Sequence, residues 1–456
     1  YSLLQSQSDT QYCVCSNYDA TQPVTAWMYS TRAHNTIEIN DTSQEGSGRN
    51  TTNDLTYTNP AGEEETVYGA GECEIGSLHP ENREFNKMYN FIRAESFGYK
   101  DHDKLTDRFK TYRDVLFIEP EYFIVTDYLD PLNFKSVSNK YAQHWHTLPD
   151  ANISLDEESG SVRTNFESGA NIIIAPINGS ITLEPSIKKG WYSNANTVVD
   201  YVKYVKNASG TVTFNTVLYP LKAQEDKSVV TKNLALDVAE GEASAAKITV
   251  TDKKTGNVKN AHYYNLHDLS KKAERVFGNY KTDAELAFVQ TAQDDYEKLI
   301  IRNGKNVSLA ENGDAIVISQ SNISDLGIVW NVDRLSLTTS KNDITYTDIK
   351  IYAPNKTKVF LNDKEITFAR DGNYIIPTSS GVIAPAPEPP TEGEGTPSVP
   401  EHGSGGTDTG TSGGDTGSDD SGSSGGSGGG GGGGGNKVDY PSIPTTDVST
   451  GTPQLP

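Results

Sequence analysis

Cysteine is almost missing from this 456-residue chain. Cys13, Cys15 and Cys73 are too few for a disulfide framework and too irregularly spaced for a zinc ribbon. A metal or redox role for the Cys13-x-Cys15 pair is the lesser reading. Basic side chains are also short, 39 Lys and Arg against 61 Asp and Glu, for a net charge of −22. Nucleic acid is a poor partner for such a surface, because that affinity rests on neutralising phosphates. An anionic sugar is not excluded, since a local basic cleft can sit on an acidic protein. The sequence holds no apolar run of membrane-spanning length, no signal peptide and no initiator Met. It opens directly in Tyr1-Ser2-Leu3-Leu4 and is expected to continue a longer protein.

Helical periodicity is scarce as well. What is present are short β-branched or aromatic runs such as Val115-Leu116-Phe117-Ile118, Tyr122-Phe123-Ile124-Val125, Ile172-Ile173-Ile174 and Val212-Thr213-Phe214. Asn, Asp, Gly and Pro punctuate them, which is the pattern of strands and turns. Glu119-Pro120-Glu121 predicts a tight link between two strands, and Asn362-Asp363 predicts a second hairpin turn. A short helix is expected over 269–275. The fold class expected is all-β: a large antiparallel β-sandwich over 1–222, a smaller β-sandwich-like domain over 223–378, and a disordered tail over 379–456.

The tail is nearly all Gly, Ser, Thr, Pro and Asp. Its ten acidic side chains and single lysine account for −9 of the net charge, leaving −13 on the folded part. Without apolar side chains no burial can offset the entropy of ordering it. A Pro/Glu-rich stretch is followed by a flexible Gly/Ser/Asp coil over 403–435, the composition of a tether.

Two histidine segments carry the candidate chemistry. In Ser30-Thr31-Arg32-Ala33-His34-Asn35-Thr36-Ile37-Glu38-Ile39, His34 leads into a strand whose Ile37 and Ile39 should face a core. In Tyr141-Ala142-Gln143-His144-Trp145-His146, alternation sets His144 and His146 on one face and Trp145 on the other. That pair suits either two metal ligands or a hydrogen-bonded polar face, and the second reading is preferred. Trp27, Trp145, Trp191 and Tyr192 could stack on sugar rings or, as is commoner for aromatics, fill the core.

The segment from Ser30 to Ile37 resembles the S-x-x-A-H-N-T-hydrophobic stretch of heparinase II/III-like polysaccharide lyases. Tyr112-Arg113-Asp114-Val115 paired with Tyr122-Phe123-Ile124-Val125-Thr126-Asp127 is similar to a further landmark of that family. So are Gln143-His144-Trp145-His146-Thr147-Leu148-Pro149, Gly190-Trp191-Tyr192-Ser193 and Thr216-Val217-Leu218-Tyr219-Pro220. They fall in the family's order over residues 10 to 222. The resemblance implies an N-terminal α/α toroid, a central antiparallel β-sandwich and a smaller C-terminal β domain. It also implies cleavage of uronate-containing polysaccharide by β-elimination. That chemistry needs donors to neutralise the uronate carboxylate, a Tyr or His to take the C5 proton, and an acid for the leaving oxygen.

In the family most of those groups lie on the toroid. The sandwich adds a His-x-His-x-Asp segment, an Asp before a Gly and the His of H-N-T, which help to hold a structural zinc. No His-x-His-x-Asp precedes His34 in this chain, and Val14-Cys15-Ser16-Asn17-Tyr18 stands where the Asp-x-Gly strand falls, with Cys15 at the aspartate position. Only His34 carries over as a metal ligand, and one ligand does not hold zinc. Tyr18 is the candidate catalytic tyrosine.

The expectation is therefore the C-terminal β region of a secreted or wall-anchored lyase, inactive by itself, with zinc belonging to the full-length parent. Its expected partners are an anionic polysaccharide, the α/α toroid and a cell-wall-binding module beyond the tail, with no nucleic acid and no membrane span. His34 should sit at the sandwich edge, where a toroid would dock. The alternative is a non-catalytic polysaccharide-binding or spacer module of a cell-surface protein. Limited proteolysis is expected to cut after Ser379 and leave a stable core, and a protease-resistant tail would contradict the reading of 379–456.

Overall fold

A computed structural model describes residue 27, residues 30–44, parts of 55–99, and 105–378 apart from 193 and 341–347. All of them belong to one unit, Tyr1–Thr391. Cys13, Cys15, Tyr18, Cys73 and the tail from 379 lie outside the described residues.

The described chain is built of antiparallel strands in three stacked sheets, with a separate two-stranded hairpin, Leu55–Thr58 with Glu64–Val67. The first sheet has four strands in the order Ile37–Ile39, Ser138–His146, Asn194–Ser209, Glu184–Tyr192. The second has eight strands, with Phe109–Ile118, Tyr122–Pro131 and Val212–Leu221 side by side at its centre. The third is a fourteen-stranded sheet formed by the chain from Lys227 to Pro377. One of its pairs is parallel, Arg334–Thr338 with Lys358–Leu361.

The eight-stranded sheet lies between the other two, and the alternation of side chains along its strands explains how. Ile172 and Ile174 enter the core shared with the four-stranded sheet, together with Tyr141, Trp145, Val202 and Tyr204. Ile173 and Ala175 enter the core shared with the fourteen-stranded sheet, together with Ile248, Tyr263 and Phe288. A strand buried on both faces reads as an unbroken apolar run rather than as alternation. This is why Ile172-Ile173-Ile174 is continuous. A third core, containing Val289, Ile301, Ile328 and Leu337, lies wholly within the fourteen-stranded sheet, whose long strands Asp295–Leu309 and Ala315–Trp330 let it roll over itself.

Both predicted hairpins are present. Phe109–Ile118 and Tyr122–Pro131 pair from Ile118 opposite Tyr122 outward. Leu361 pairs with Lys364, and Asn362 and Asp363 take positive φ of 45° and 64°, the geometry of a two-residue hairpin turn. The helix expected over 269–275 is not formed. A single 3-10 turn, Leu269–Lys271, is capped by the Asp268 carboxylate and buries none of its residues. With no apolar face to dock, the helix has nothing to stabilise it, and Arg275 opens a strand, its guanidinium bonded to Asp237 at 2.7 Å.

The layers are joined by polar as well as apolar contacts. Arg93 donates two bonds of 2.7 Å to Asp114. Asn265 of the fourteen-stranded sheet donates to the same carboxylate at 2.8 Å, and Arg93 reaches the Leu266 carbonyl at 3.3 Å. All of these side chains are buried. Removing one partner of such a pair leaves an uncompensated charge. Asp114→Ala is expected to lower unfolding stability by roughly 3–5 kcal/mol, read from the denaturant midpoint. A change under about 1 kcal/mol would show that the pair is not held as described.

Candidate functional site

The four-stranded sheet turns one face to the sandwich core and the other to the residues around the Thr31–Ala33 turn. On strand Ser138–His146, Gln143 and Trp145 point inward, and His144 and His146 point outward. Gln143 donates to Asp127 at 2.7 Å and accepts from Trp145 Nε1 at 2.9 Å and Thr216 at 2.8 Å. Strand Ile37–Ile39 pairs with this strand, Ile37 opposite Gln143 and Glu38 opposite Ala142. Ile37 and Ile39 join the core, so Glu38 is placed on the outer face beside His144. Lys203 and Tyr201 reach the same face from the next strand, directly opposite His144 and His146.

The outer face is polar yet closed. Glu38, His144 and His146 are each 0% exposed, and Arg32 is 3% exposed. Arg32 Nε donates to Glu38 Oε1 at 2.9 Å, and its Nη2 lies 2.8 Å from the same oxygen. His144 Nε2 is 3.4 Å and Lys203 Nζ 3.7 Å from Glu38 Oε2. Asp41 lies 3.5 Å from Lys203 and takes Lys140 at 2.7 Å. Burial alone would push the Glu38 carboxyl up, but Arg32, His144 and Lys203 outweigh it and hold the group well below the usual carboxylate range. Burial lowers His144 despite Glu38 beside it. His146 falls well below the ordinary histidine value through burial first, then through the charges of His144 and His34. The face thus carries the buried Glu38 carboxylate among its cations, with Asp41 at its margin, and two imidazoles whose burial favours the neutral form.

Trp27 closes the far end. It packs edge-on to His146 and Trp191 at 5.8 and 6.0 Å between ring centroids. The indole lies close against Gly190, where a Cβ would come within 2.2 Å of it. Only glycine admits that approach. Trp27, Trp145 and Trp191 are all buried and so offer no open face to a sugar, and Trp145 is part of the sandwich core, while Tyr192 is half-buried.

His34 follows the 3-10 turn and leads into the edge strand of the four-stranded sheet. It is half-buried, the most open of the three histidines gathered here. The structure brings His34, His144 and His146 into one neighbourhood, a grouping that spacing alone could not give. Among the described residues, no set of three or more His, Cys, Asp or Glu side chains is placed to hold a metal ion. The carboxylate nearest the histidines already carries Arg32 and Lys203, so the described donors do not fit zinc, and no step of the reaction is assigned to one.

Arg32 and Glu38 were not singled out from sequence, and Arg113 and Asp127 stood out only as parts of a paired-strand landmark, not as an ion pair. Arg113 grips Asp127 at 2.6 and 2.8 Å and donates its remaining nitrogen to the Asn35 carbonyl at 2.5 Å. The signal was present in the polar positions of the two hairpin strands, but their meaning depends on a register that pairs 113 with 127.

An all-antiparallel sandwich bearing a histidine turn on its edge defines a β-sandwich module. Residues 13–231 match the family model described as Heparinase II/III-like, C-terminal. Over that region the chain is similar to the C-terminal part of heparinase II/III-like proteins. Among solved structures, it is similar to the heparan sulfate lyase HepC of Pedobacter heparinus, with 18% identity and a TM-score of 0.38 over 53% of this chain and 32% of that one. A heparinase III gene product shares 17% identity with a TM-score of 0.37, over 57% of this chain and 34% of its own. A further heparinase III shares 16% identity with a TM-score of 0.34, over 52% and 31%. The chain spans about a third of the length of each of these structures. No curated protein matches it. Among the described residues no helix is long and apolar enough to cross a membrane.

Four buried histidines give the fold a pH dependence of known sign. His144 and His146 are lowered, and burial takes His262 down to about 4 and His267 to about 3. A depressed folded value means stability is fully present above the unfolded value of 6.5, because the unfolded chain gains protons that the folded one refuses. The melting temperature is expected to be steady above pH 6.5 and to fall from there toward about 4. A flat profile across that window would show that these imidazoles are charged in the fold.

Proposed function

We propose that this chain is the C-terminal β region of a secreted or wall-anchored enzyme that cleaves uronate-containing polysaccharide by β-elimination, and that it does not turn over substrate alone. The observation that carries the reading is the family match over 13–231, within which the Ser30–Ile37 segment forms a half-open histidine turn on the sandwich edge. His34 is assigned to the site at that edge, with an anionic polysaccharide as substrate. Tyr18 is assigned the proton-transferring role. A helical toroid of the same protein would supply the remaining groups, and the tail would tether the enzyme to an envelope module.

The commitment of charged groups among the described residues supports inactivity of this chain alone. Abstraction of the C5 proton needs the substrate carboxylate neutralised by free donors. Arg32 is committed to Glu38 and Arg113 to Asp127. The neutral imidazoles of His144 and His146 are within reach of a base's chemistry but are fully covered. The purified chain is expected to give no rise in the ultraviolet absorbance of unsaturated uronate on heparan sulfate, alginate or hyaluronan. Clear turnover of any of them would overturn the claim of inactivity. The alternative of a non-catalytic polysaccharide-binding module has less support, since three of its candidate stacking tryptophans are buried.

A further inference from the structure

We propose that a two-sided polar clamp fixes the position of His34, with Arg113 and Asn35 on one side and Arg32 and Glu38 on the other acting as positioning residues. The proposal rests on the assignment of His34 to the site. The segment from Ser30 to Thr36 has only Ala33 as an apolar side chain, so packing cannot set its conformation. Hydrogen bonds must do so.

Ahead of His34, the Arg32 guanidinium is locked on the fully buried Glu38 carboxylate, which His144 and Lys203 hold from the opposite side. Thr31 N–H donates to Ser43 Oγ at 3.2 Å and Ser30 Oγ to the Trp27 carbonyl at 2.6 Å. Behind it, the Asn35 carbonyl accepts from Arg113 and its side-chain Oδ1 accepts from the His146 N–H at 2.6 Å. Thr36 is tied in the same way, its carbonyl accepting from His144 N–H at 3.0 Å. The backbone of His34 itself is bonded on both sides, its N–H to Thr31 O at 3.1 Å and its carbonyl from Thr36 N–H at 2.9 Å.

Each flank of one half-open histidine is therefore anchored to a buried charge. Well-packed apolar residues would hold the layers at least as firmly as buried ion pairs do. What directional bonds add is angular precision, and reactive groups need it, because a shift of about 1 Å can cost on the order of a hundredfold in rate. A single Arg113 guanidinium makes three bonds in fixed directions, to both Asp127 oxygens and to the Asn35 carbonyl. A lysine cannot reproduce that fork.

The test is carbethoxylation of the whole chain by diethyl pyrocarbonate, with rates at His34, His144 and His146 followed by peptide mass spectrometry. Arg113→Lys and Asn35→Ala are each expected to change the His34 rate several-fold while His144 and His146 stay protected and the melting temperature holds. Glu38→Gln should change the His34 rate from the other flank, with a lower melting temperature because Arg32 loses its buried countercharge. A His34 rate equal to wild type in both Arg113→Lys and Asn35→Ala would overturn the clamp. So would a rise at all three histidines together, which marks a merely structural role. The functional reading is separable: if His34→Ala left turnover by the longer enzyme intact, His34 would lose its place in the site whatever the modification rates showed.

Discussion

The eight-stranded sheet has no face open to water across its centre, and successive side chains on its strands must satisfy two different environments. Adjacent residues on one strand show the consequence. Arg113 points toward the four-stranded sheet and pairs with Asp127, whereas Asp114 points the other way and pairs with Arg93. A register slip of one residue would exchange these destinations and bury each charge without its partner. The pairing of Phe109–Ile118 with Tyr122–Pro131 is therefore held by charge as well as by hydrophobic pattern, and the other layers are placed by reference to it.

The candidate site is a by-product of that placement. Arg113 reaches beyond its partner to the Asn35 carbonyl, so the pair that fixes the central register also fixes the histidine turn. Glu38 is brought beside His144 because the short edge strand is paired so that both of its isoleucines meet the core. The outer face of the small sheet can then carry charges and still be closed, because each of Arg32, Glu38, Lys203 and Asp41 has a countercharge within 4 Å. Its cations offset the desolvation that burial imposes on Glu38.

Residues 223–378 contribute in a different way. Their sheet lends Ile248, Tyr263 and Phe288 to the core it shares with the eight-stranded sheet, and Asn265 to the Arg93–Asp114 pair. Lys298 reaches across to Glu121 and the Glu119 carbonyl at the tip of the central hairpin. The link from Leu221 to Lys227 is thus a boundary in topology, while apolar and polar contacts run across it.

The all-β class, both hairpins and the opposed faces of His144 and Trp145 were legible in the sequence, because each depends on neighbours a few residues apart. The His34 segment was legible as well, through the side chains that follow one another from Ser30 to Ile37. The helix expected over 269–275 failed because local composition cannot report whether an apolar face finds a partner. The Arg32–Glu38–His144–Lys203 cluster and the reach of Arg113 to Asn35 were not readable either. Lys203 and Glu38 meet only because strand pairing brings together residues far apart in the chain. Sequence determined which residues are strands and which are turns, since backbone preference and alternation act locally. The tertiary structure decided which charges meet, because that depends on register and on the stacking of layers.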